Sequence, residues 1–211
     1  MRTSGWMHAL HALTATEMVQ ATRRGHLTCE AVVRACLDHI AEHEPAVQAW
    51  QYLNADRVIA QARALDQRGH RGPLYGVPFG IKDIMDTCDM PTEYGSPIYR
   101  GHQPASDAAC VALSRQVGGM LMGKTVTTEF ANVSPGKTRH PRDPQRMPRG
   151  SSSGSVAAVS AGMVPLAVGT QTTRSTIRSA SFCGIVGYRP TYGHLRCTGV
   201  KEAAGRSIRW G

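Results

Sequence analysis

Apolar side chains in the first third of the chain recur with the period of amphipathic helices. A capping box at Thr14–Glu17 opens the first predicted helix. The apolar stripe of the next segment predicts a second helix from Thr28 to His43, which we expect Pro45 to end. A third helix is predicted from Asn54 to Gly69, with these two residues as its caps. The pattern thus predicts a helical lead-in over residues 1–70.

After residue 72 the pattern changes to short apolar runs that alternate with helical segments. We predict strands at 74–81, 119–123, 164–168 and 184–188, and helices at 107–117 and 153–162. Strands that alternate with helices predict an α/β fold with a largely buried β-sheet. The tail at 197–211 is weakly patterned, so we expect a fold that is incomplete at its C-terminus.

Composition and charge exclude several classes of protein. The 211 residues are 41% hydrophobic, which is too apolar for a disordered chain. The longest apolar stretch, 157–169, is shorter than the roughly 18 residues that cross a bilayer, and no secretory signal is evident. We therefore expect a cytoplasmic protein. The net charge is +9, but the arginines are dispersed and no nucleic-acid-binding motif is present, so nucleic acid is not an expected partner.

Cysteine and histidine residues are scattered and form no metal-binding motif. None of the six cysteines forms a C-x-x-C pair, so we expect small buried thiols rather than a disulfide framework or a zinc site. The nine histidines are expected to lie at the surface or to be satisfied locally: His8, His11, His26, His39, His43, His70, His102, His140 and His194.

Three segments carry candidate chemistry. Lys82 directly follows an apolar strand, where it either reaches water or is a desolvated base with a lowered pKa. The serine-rich segment 149–155 runs straight into an apolar helix, whose N-terminus offers free N–H groups. The polar segment 169–178 leaves a predicted strand, which is where α/β folds tend to place their sites.

Together these segments resemble the amidase signature family. The matching text is GPLYGVPFGIKDIMDT at 72–87, GSSSGSVAAVSAG at 150–162 and GTQTTRSTIRSASFCGIVGYRPTYG at 169–193. The resemblance extends from about residue 14 to 193 and implies a mixed β-sheet flanked by helices. It also implies one amidase-like domain over 1–211, with its core at 72–193.

The resemblance implies a Ser–Ser–Lys triad that hydrolyses a carboxylic amide through an acyl-serine intermediate. Ser175 falls at the nucleophile, Ser151 at the bridging serine on a cis peptide bond, and Lys82 at the base. The implied oxyanion hole consists of the backbone N–H groups of Thr172, Thr173, Arg174 and Ser175. Such a site needs no metal or cofactor, and its expected partner is a small-molecule amide. A homodimer is left open.

Arg178 has two interpretations. It either pairs with a carboxylate of the substrate or bonds to carbonyl groups near the loop. We favour the structural role while keeping substrate binding as a candidate.

The chain departs from the family pattern at the site. Arg174 stands directly before the nucleophile where the family has glycine, Arg149 replaces the first glycine before the bridging serine, and Ser179 replaces a proline. If φ is positive at residue 174, we expect strain of the order of 1–2 kcal/mol there. Family enzymes are also longer, and their second half completes the sheet. We therefore expect an unpaired sheet edge.

Three hypotheses stay open. The first is an amidase, the second a non-catalytic remnant, and the third the glutamine-hydrolysing subunit of a tRNA-dependent amidotransferase. The basic charge fits tRNA loosely. The G-T-Q-T form around Gln171 resembles stand-alone amidases more than the G-T-D-T form associated with the amidotransferase.

Overall fold

The computed structural model describes residues 7–69 and 72–201. Six α-helices are described, namely α1 (Ala15–Arg23), α2 (Cys29–Val47), α3 (Ala55–Arg68), α4 (Ala109–Gln116), α5 (Ser153–Ser160) and α6 (Ile177–Cys183). Four strands are described, namely β1 (Trp50–Leu53), β2 (Pro78–Lys82), β3 (Met120–Thr125) and β4 (Leu166–Val168). Short 3₁₀ helices lie at Met7–Ala12, Pro97–Tyr99 and Glu129–Ala131. Within the described ranges, no helix combines the length and apolarity that crossing a bilayer would need.

The helical lead-in has the predicted caps. The Thr14 hydroxyl accepts the Glu17 N–H at 3.2 Å, and the Glu17 carboxylate accepts the Thr14 N–H at 2.8 Å, which completes the capping box. Asn54 caps α3 through the Arg57 N–H, and Gly69 follows the last helical residue. These local signals act within one turn, which is why the sequence reveals them.

The predicted end of the second helix is wrong. Helix α2 continues to Val47, with Pro45 inside its last turn. A proline at this position removes one backbone hydrogen bond of the helix but does not end the helix. Glu44 holds the end in place, because its carboxylate accepts the N–H groups of Ala49 and Trp50, each at 2.9 Å. The helix terminates at Gln48 in a left-handed conformation.

The four strands form one mixed sheet in the order β1-β3-β2-β4, which confirms the predicted α/β class. Strand β1 is antiparallel to β3, while β2 is parallel to both β3 and β4. All residues of β2 and β3 are buried, as expected for central parallel strands. Helices α2 and α3 pack with α5 in one core cluster, and Phe79 and Ile81 belong to a second.

Several predicted boundaries differ from the structure. Strand β2 begins at Pro78 rather than residue 74, because the preceding residues form a turn. The strand predicted at 184–188 is not formed. Instead, Gly184 ends α6 in a left-handed conformation. Strand β1 and helix α6 were not predicted from the sequence. Both are short, and α6 begins at the end of the polar segment 169–178, which the sequence placed after a strand without predicting a helix.

The cysteines only partly follow the prediction. All six are free thiols, but only Cys29, Cys36 and Cys183 are buried, and Cys88 is exposed. Of the weakly patterned tail, Val200 bridges to Met85. Residues 202–211 lie outside the described residues, as does His70.

Candidate active site

Three predicted site residues meet at one point in the structure. Lys82 lies at the end of β2, Ser151 lies two residues before α5, and Ser175 lies two residues before α6. The Lys82 Nζ donates to Ser151 Oγ at 2.7 Å and to Ser175 Oγ at 3.4 Å. The two serine oxygens are 3.0 Å apart. A continuous hydrogen-bonded path therefore joins the lysine to Ser175 through Ser151.

The Ser175 hydroxyl oxygen also receives backbone donors. The N–H groups of Ser151 and Ser152 donate to Ser175 Oγ at 3.0 and 2.9 Å. These donors lie at the N-terminus of α5, where the helix dipole favours negative charge. The arrangement is suited to stabilise a Ser175 oxygen that gives up its proton.

Burial determines the protonation of Lys82. Its side chain is fully buried, and its Nζ lies within hydrogen-bond distance of the hydroxyls of Ser151, Ser175 and Thr170, the last at 2.9 Å. Among the described residues, no carboxylate forms an ion pair with it. Desolvation without a compensating negative charge lowers the pKa of Lys82 well below 10.5. A lysine in that state can accept a proton.

A second buried lysine shows the opposite arrangement. Lys124 Nζ lies 3.6 Å from the Asp83 carboxylate and donates to Thr92 Oγ1 at 2.7 Å and to the Met85 carbonyl. Burial lowers the pKa of Lys124 to about 8 and raises that of Asp83 to about 6, while the charge of each opposes its partner's shift. This lysine has a charged partner, whereas Lys82 has only hydroxyls.

The sheet register explains why the two lysines differ. Ile81 pairs with Lys124 and Lys82 pairs with Thr125 across β2 and β3. Because neighbouring residues on a strand point to opposite faces, Lys82 and Lys124 project from opposite sides of the sheet. Thr125 bonds Ser155 of α5 at 2.7 Å, so the Lys82 face is the face that α5 covers.

The predicted oxyanion segment lines a cavity beside Ser175. The cavity has a volume of about 270 Å³. Its lining residues are Ala131, Asn132, Val133, Gly150, Ser151, Thr172, Thr173, Arg174, Ser175 and Arg178. Within residues 7–69 and 72–201, no hydrogen bond uses the backbone N–H groups of 172–175. Within the described residues, these N–H groups thus have no acceptor in the protein.

The two arginine substitutions affect the backbone differently. Arg174 is exposed and is not among the described non-glycine residues with positive φ, so the strain expected there is absent. Arg149 instead has φ of 63°, and its guanidinium lies 4.9 Å from the centre of the Phe182 ring. Of the two arginine substitutions, Arg149 is therefore the one with a left-handed backbone conformation.

Two further predicted features lie beside the serines. The peptide bond between Gly150 and Ser151 is cis, as the resemblance implies. Arg178 donates to the Gly150 carbonyl at 2.9 Å and also lines the cavity. This contact is of the structural kind that the sequence favoured for Arg178.

Sequence reasoning missed four contributors. Thr170 accepts from Lys82, Ser152 Oγ lies 2.7 Å from Ser175 Oγ, and the Asp83–Lys124 pair lies beneath the site. Lys124 follows an apolar strand as Lys82 does, and that repeated pattern could have revealed it. Ser152 and Thr170 lie within the family motifs, but no spacing rule singles them out.

The loop at 129–133 also lines the cavity, and the sequence did not predict this contribution. Phe130 and Ala131 have φ of 47° and 56°. Thr128 anchors the loop, because its N–H donates to the Ser151 carbonyl at 3.2 Å and its hydroxyl donates to the Asn132 carbonyl at 2.8 Å. Consecutive non-glycine residues with positive φ persist only where surrounding contacts enforce them.

Metal-ligating side chains group elsewhere. Among the described residues, the two groups of three that could hold an ion are His39, Glu42 and His43, and Cys88, Asp89 and Asp107. Neither contains a predicted site residue. Asp89 is paired with Arg57 and Arg115, which already neutralise its charge.

Comparisons with known proteins show the family of this chain. The family model described as Amidase matches residues 31–209. The chain is 42% identical over 202 residues to a glutamyl-tRNA(Gln) amidotransferase subunit from Oleidesulfovibrio alaskensis, covering 92% of this chain and 42% of that one. The corresponding protein from Acidothermus cellulolyticus is 45% identical over 197 residues, covering 89% and 39%. The chain thus spans about two fifths of the length of these relatives.

Solved structures give the same fold. Peptide amidase from Stenotrophomonas maltophilia superposes with a TM-score of 0.83 at 32% identity, covering 89% of this chain and 42% of that one. A protein from a vestigial complex, linked to the origins of an s-triazine catabolic enzyme, superposes with a TM-score of 0.88 at 31% identity. That match covers 94% of this chain and 46% of the other.

Proposed function

Because this chain belongs to the Amidase family, we propose that it hydrolyses the C–N bond of a carboxylic amide. Ser175 is the proposed nucleophile, Ser151 the proton relay and Lys82 the base. The observation that carries the proposal is the buried Lys82, whose Nζ lies 2.7 Å from Ser151 Oγ and 3.4 Å from Ser175 Oγ. A serine hydroxyl becomes a useful nucleophile when a base removes its proton.

In the proposed first step, the neutral amine of Lys82 takes a proton from Ser151, which takes one from Ser175. The Ser175 oxygen bonds to the amide carbon, and the carbonyl electron pair moves onto the oxygen. The backbone N–H groups of Thr172, Thr173, Arg174 and Ser175 are proposed to hold this oxyanion. Each preorganised donor of this kind is worth about 3–4 kcal/mol.

In the second step the tetrahedral intermediate collapses. The C–N bond breaks, and the nitrogen leaves with a proton returned from Lys82 through Ser151. Water then attacks the acyl-serine with help from the same relay, releasing a carboxylate and restoring the Ser175 hydroxyl. All atoms come from the amide, water and the three side chains, so the proposed reaction needs no cofactor.

Covalent labelling tests this proposal directly. A fluorophosphonate should add once to the protein, as seen by intact mass, and the Ser175→Ala variant should show no adduct. No adduct on parent protein that is folded by circular dichroism would favour the non-catalytic hypothesis. The S175A variant is the matched control, because it removes one hydroxyl without altering the backbone.

A second candidate is the glutamine-hydrolysing subunit of a tRNA-dependent amidotransferase. It is favoured by the names of the relatives at 42% and 45% identity. The Gln171 form of the loop does not argue against it. The Gln171 side-chain oxygen accepts the N–H groups of Thr176 and Ile177 at 2.9 and 2.8 Å, a capping role that an aspartate could also fill. Ammonia release from glutamine that requires added partner subunits would distinguish this function from a stand-alone amidase.

The substrate side of the cavity is basic. Arg174 and Arg178 both line it, so we propose that an anionic group of the substrate is held near them. Turnover of simple amides with and without a carboxylate tests this: Arg174→Gln, which leaves the Arg178 contact with Gly150 in place, should raise KM only for the charged substrate. The homodimer and the cytoplasmic location expected from the sequence stay predictions.

A further inference from the structure

Three histidines from two parts of the chain come together away from the Ser–Lys site. His39 and His43 lie one turn apart on α2, and His11 comes from the 3₁₀ helix Met7–Ala12. The His39 ring stacks on that of His11, with centroids 3.9 Å apart, and lies 4.1 Å from that of His43. Ligand atoms of His39, His43 and Glu42 all lie within 4.8 Å of one another.

Backbone carbonyls orient the two rings of α2. His39 Nε2 lies 2.8 Å from the Ala161 carbonyl, and His43 Nδ1 lies 3.0 Å from the His39 carbonyl. A carbonyl oxygen only accepts, so each of these nitrogens carries the proton. The remaining nitrogens, His39 Nδ1 and His43 Nε2, therefore keep their lone pairs. Metal-binding histidines are commonly held in this way, with the second ring nitrogen donating to a carbonyl.

We propose that His39, His43 and Glu42 bind one divalent transition metal ion, with Zn²⁺ as the representative ion. Two imidazoles and a carboxylate suit zinc and leave a fourth position for water. Helical spacing of three and four residues puts all three side chains on one face of α2. The Glu42 carboxylate lies 4.0 Å from His43 Nδ1, so binding an ion together with His43 Nε2 requires the exposed Glu42 side chain to change its rotamer.

His11 is assigned a positioning role instead. Its ring is nearly parallel to that of His39, at 11°, whereas the His43 ring is tilted by 33°, and His11 is not part of the group whose ligand atoms lie within 4.8 Å of one another. The stacked ring restricts rotation of His39. The ion would thereby join α2 to the carbonyl at the C-terminal end of α5, through the ring of His39.

Calorimetric titration of the full chain with zinc chloride tests the proposal. We expect one saturable site per chain. His43→Ala removes one ligand and should weaken binding at least tenfold, since even loss of an outer partner costs about 10–100-fold. Glu42→Gln should also weaken it. The matched control is His26→Ala, an exposed histidine outside the cluster, which should leave the affinity unchanged.

The outcomes are separable from the proposed amidase activity, because the readout is heat of binding and not turnover. Equal affinity in the parent, His43→Ala and Glu42→Gln proteins would overturn the proposal, as would the absence of saturable binding. Glu42 has a side chain 76% exposed, so its variant is not expected to disturb folding. Circular dichroism of each variant verifies this. Titration with Co²⁺ gives a second readout, because its visible absorption reports nitrogen and oxygen ligands directly.

Discussion

The close packing of Gly154 makes Gly154→Ala a sharp test of how the site is positioned. An added Cβ would lie 2.3 Å from the Ala49 carbonyl oxygen, 2.3 Å from the Val126 nitrogen and 2.9 Å from the Val126 oxygen. All three are backbone atoms, so no side-chain rotation relieves the contact. Ordinary contact begins near 3.4 Å, which means that α5 must move by about 1 Å.

That movement would be transmitted to Ser175, the proposed nucleophile. Ser152 lies two residues before Gly154, and its N–H donates to Ser175 Oγ at 2.9 Å. A displacement of about 1 Å in a catalytic arrangement can cost roughly 100-fold in rate. Stability should change less. Overpacking costs about 1–3 kcal/mol, and alanine recovers up to about 1 kcal/mol of helix propensity.

The assay is the rate of fluorophosphonate addition to Ser175, with urea unfolding measured in parallel. The matched control is Gly101→Ala, where φ is +73° but nothing lies within 4 Å of the added carbon. It should lose about 1 kcal/mol of stability from backbone strain and label at the parent rate. If Gly154→Ala labels within twofold of the parent, the placement of α5 does not control the position of Ser175.

Three further predictions address the charged groups. Burial lowers the pKa of Lys82, the proposed base, so labelling of Ser175 should rise with pH and level off well below 10.5; a rate that still climbs at pH 10 would contradict this. Arg149→Gly should be about 1 kcal/mol more stable to urea than Arg149→Ala, because both lose the side chain but only alanine keeps a Cβ at positive φ; equal stabilities would refute the strain. Asp83→Asn should cost about 3–5 kcal/mol of unfolding free energy at pH 7, because it leaves the buried Lys124 ammonium without a charged partner 3.6 Å away; a loss below about 1 kcal/mol would show that the pair is not ionised.

Local and motif-based features were predictable from the sequence, and features that depend on packing were not. The Thr14 capping box involves residues within one helical turn, so its chemistry is visible in four letters. Pro45 misled the prediction because Glu44 and the following backbone compensate for it. Strand β1 has four residues and is stabilised mainly by pairing with β3, which no local pattern reveals.

The features of the candidate site also fall into two groups, those that the sequence predicts and those that depend on packing. Lys82 and the serines belong to a family motif, so their approach could be expected before any coordinates. The pairing of Lys124 with Asp83, in contrast, depends on the register between β2 and β3. That register decides which residues of the two strands share a face of the sheet. The positive φ at Arg149 rather than Arg174 depends on the path of the loop, and no residue spacing encodes that path.

The cavity-lining loop at 129–133 and helix α5 differ in how freely they can accept new side chains, and this has a consequence for engineering. Helix α5 is buried from Ser153 through Ala158, and at Gly154 an added Cβ would lie 2.3 Å from two backbone atoms. The loop carries Val133, which is 85% exposed although it lines the cavity. Libraries that aim to change the substrate range of the proposed amidase should therefore diversify residues 132–133 and leave α5 untouched. The mutational freedom around this cavity is concentrated on the loop, while α5 keeps the preceding backbone at Ser151 and Ser152 in place through each round of selection.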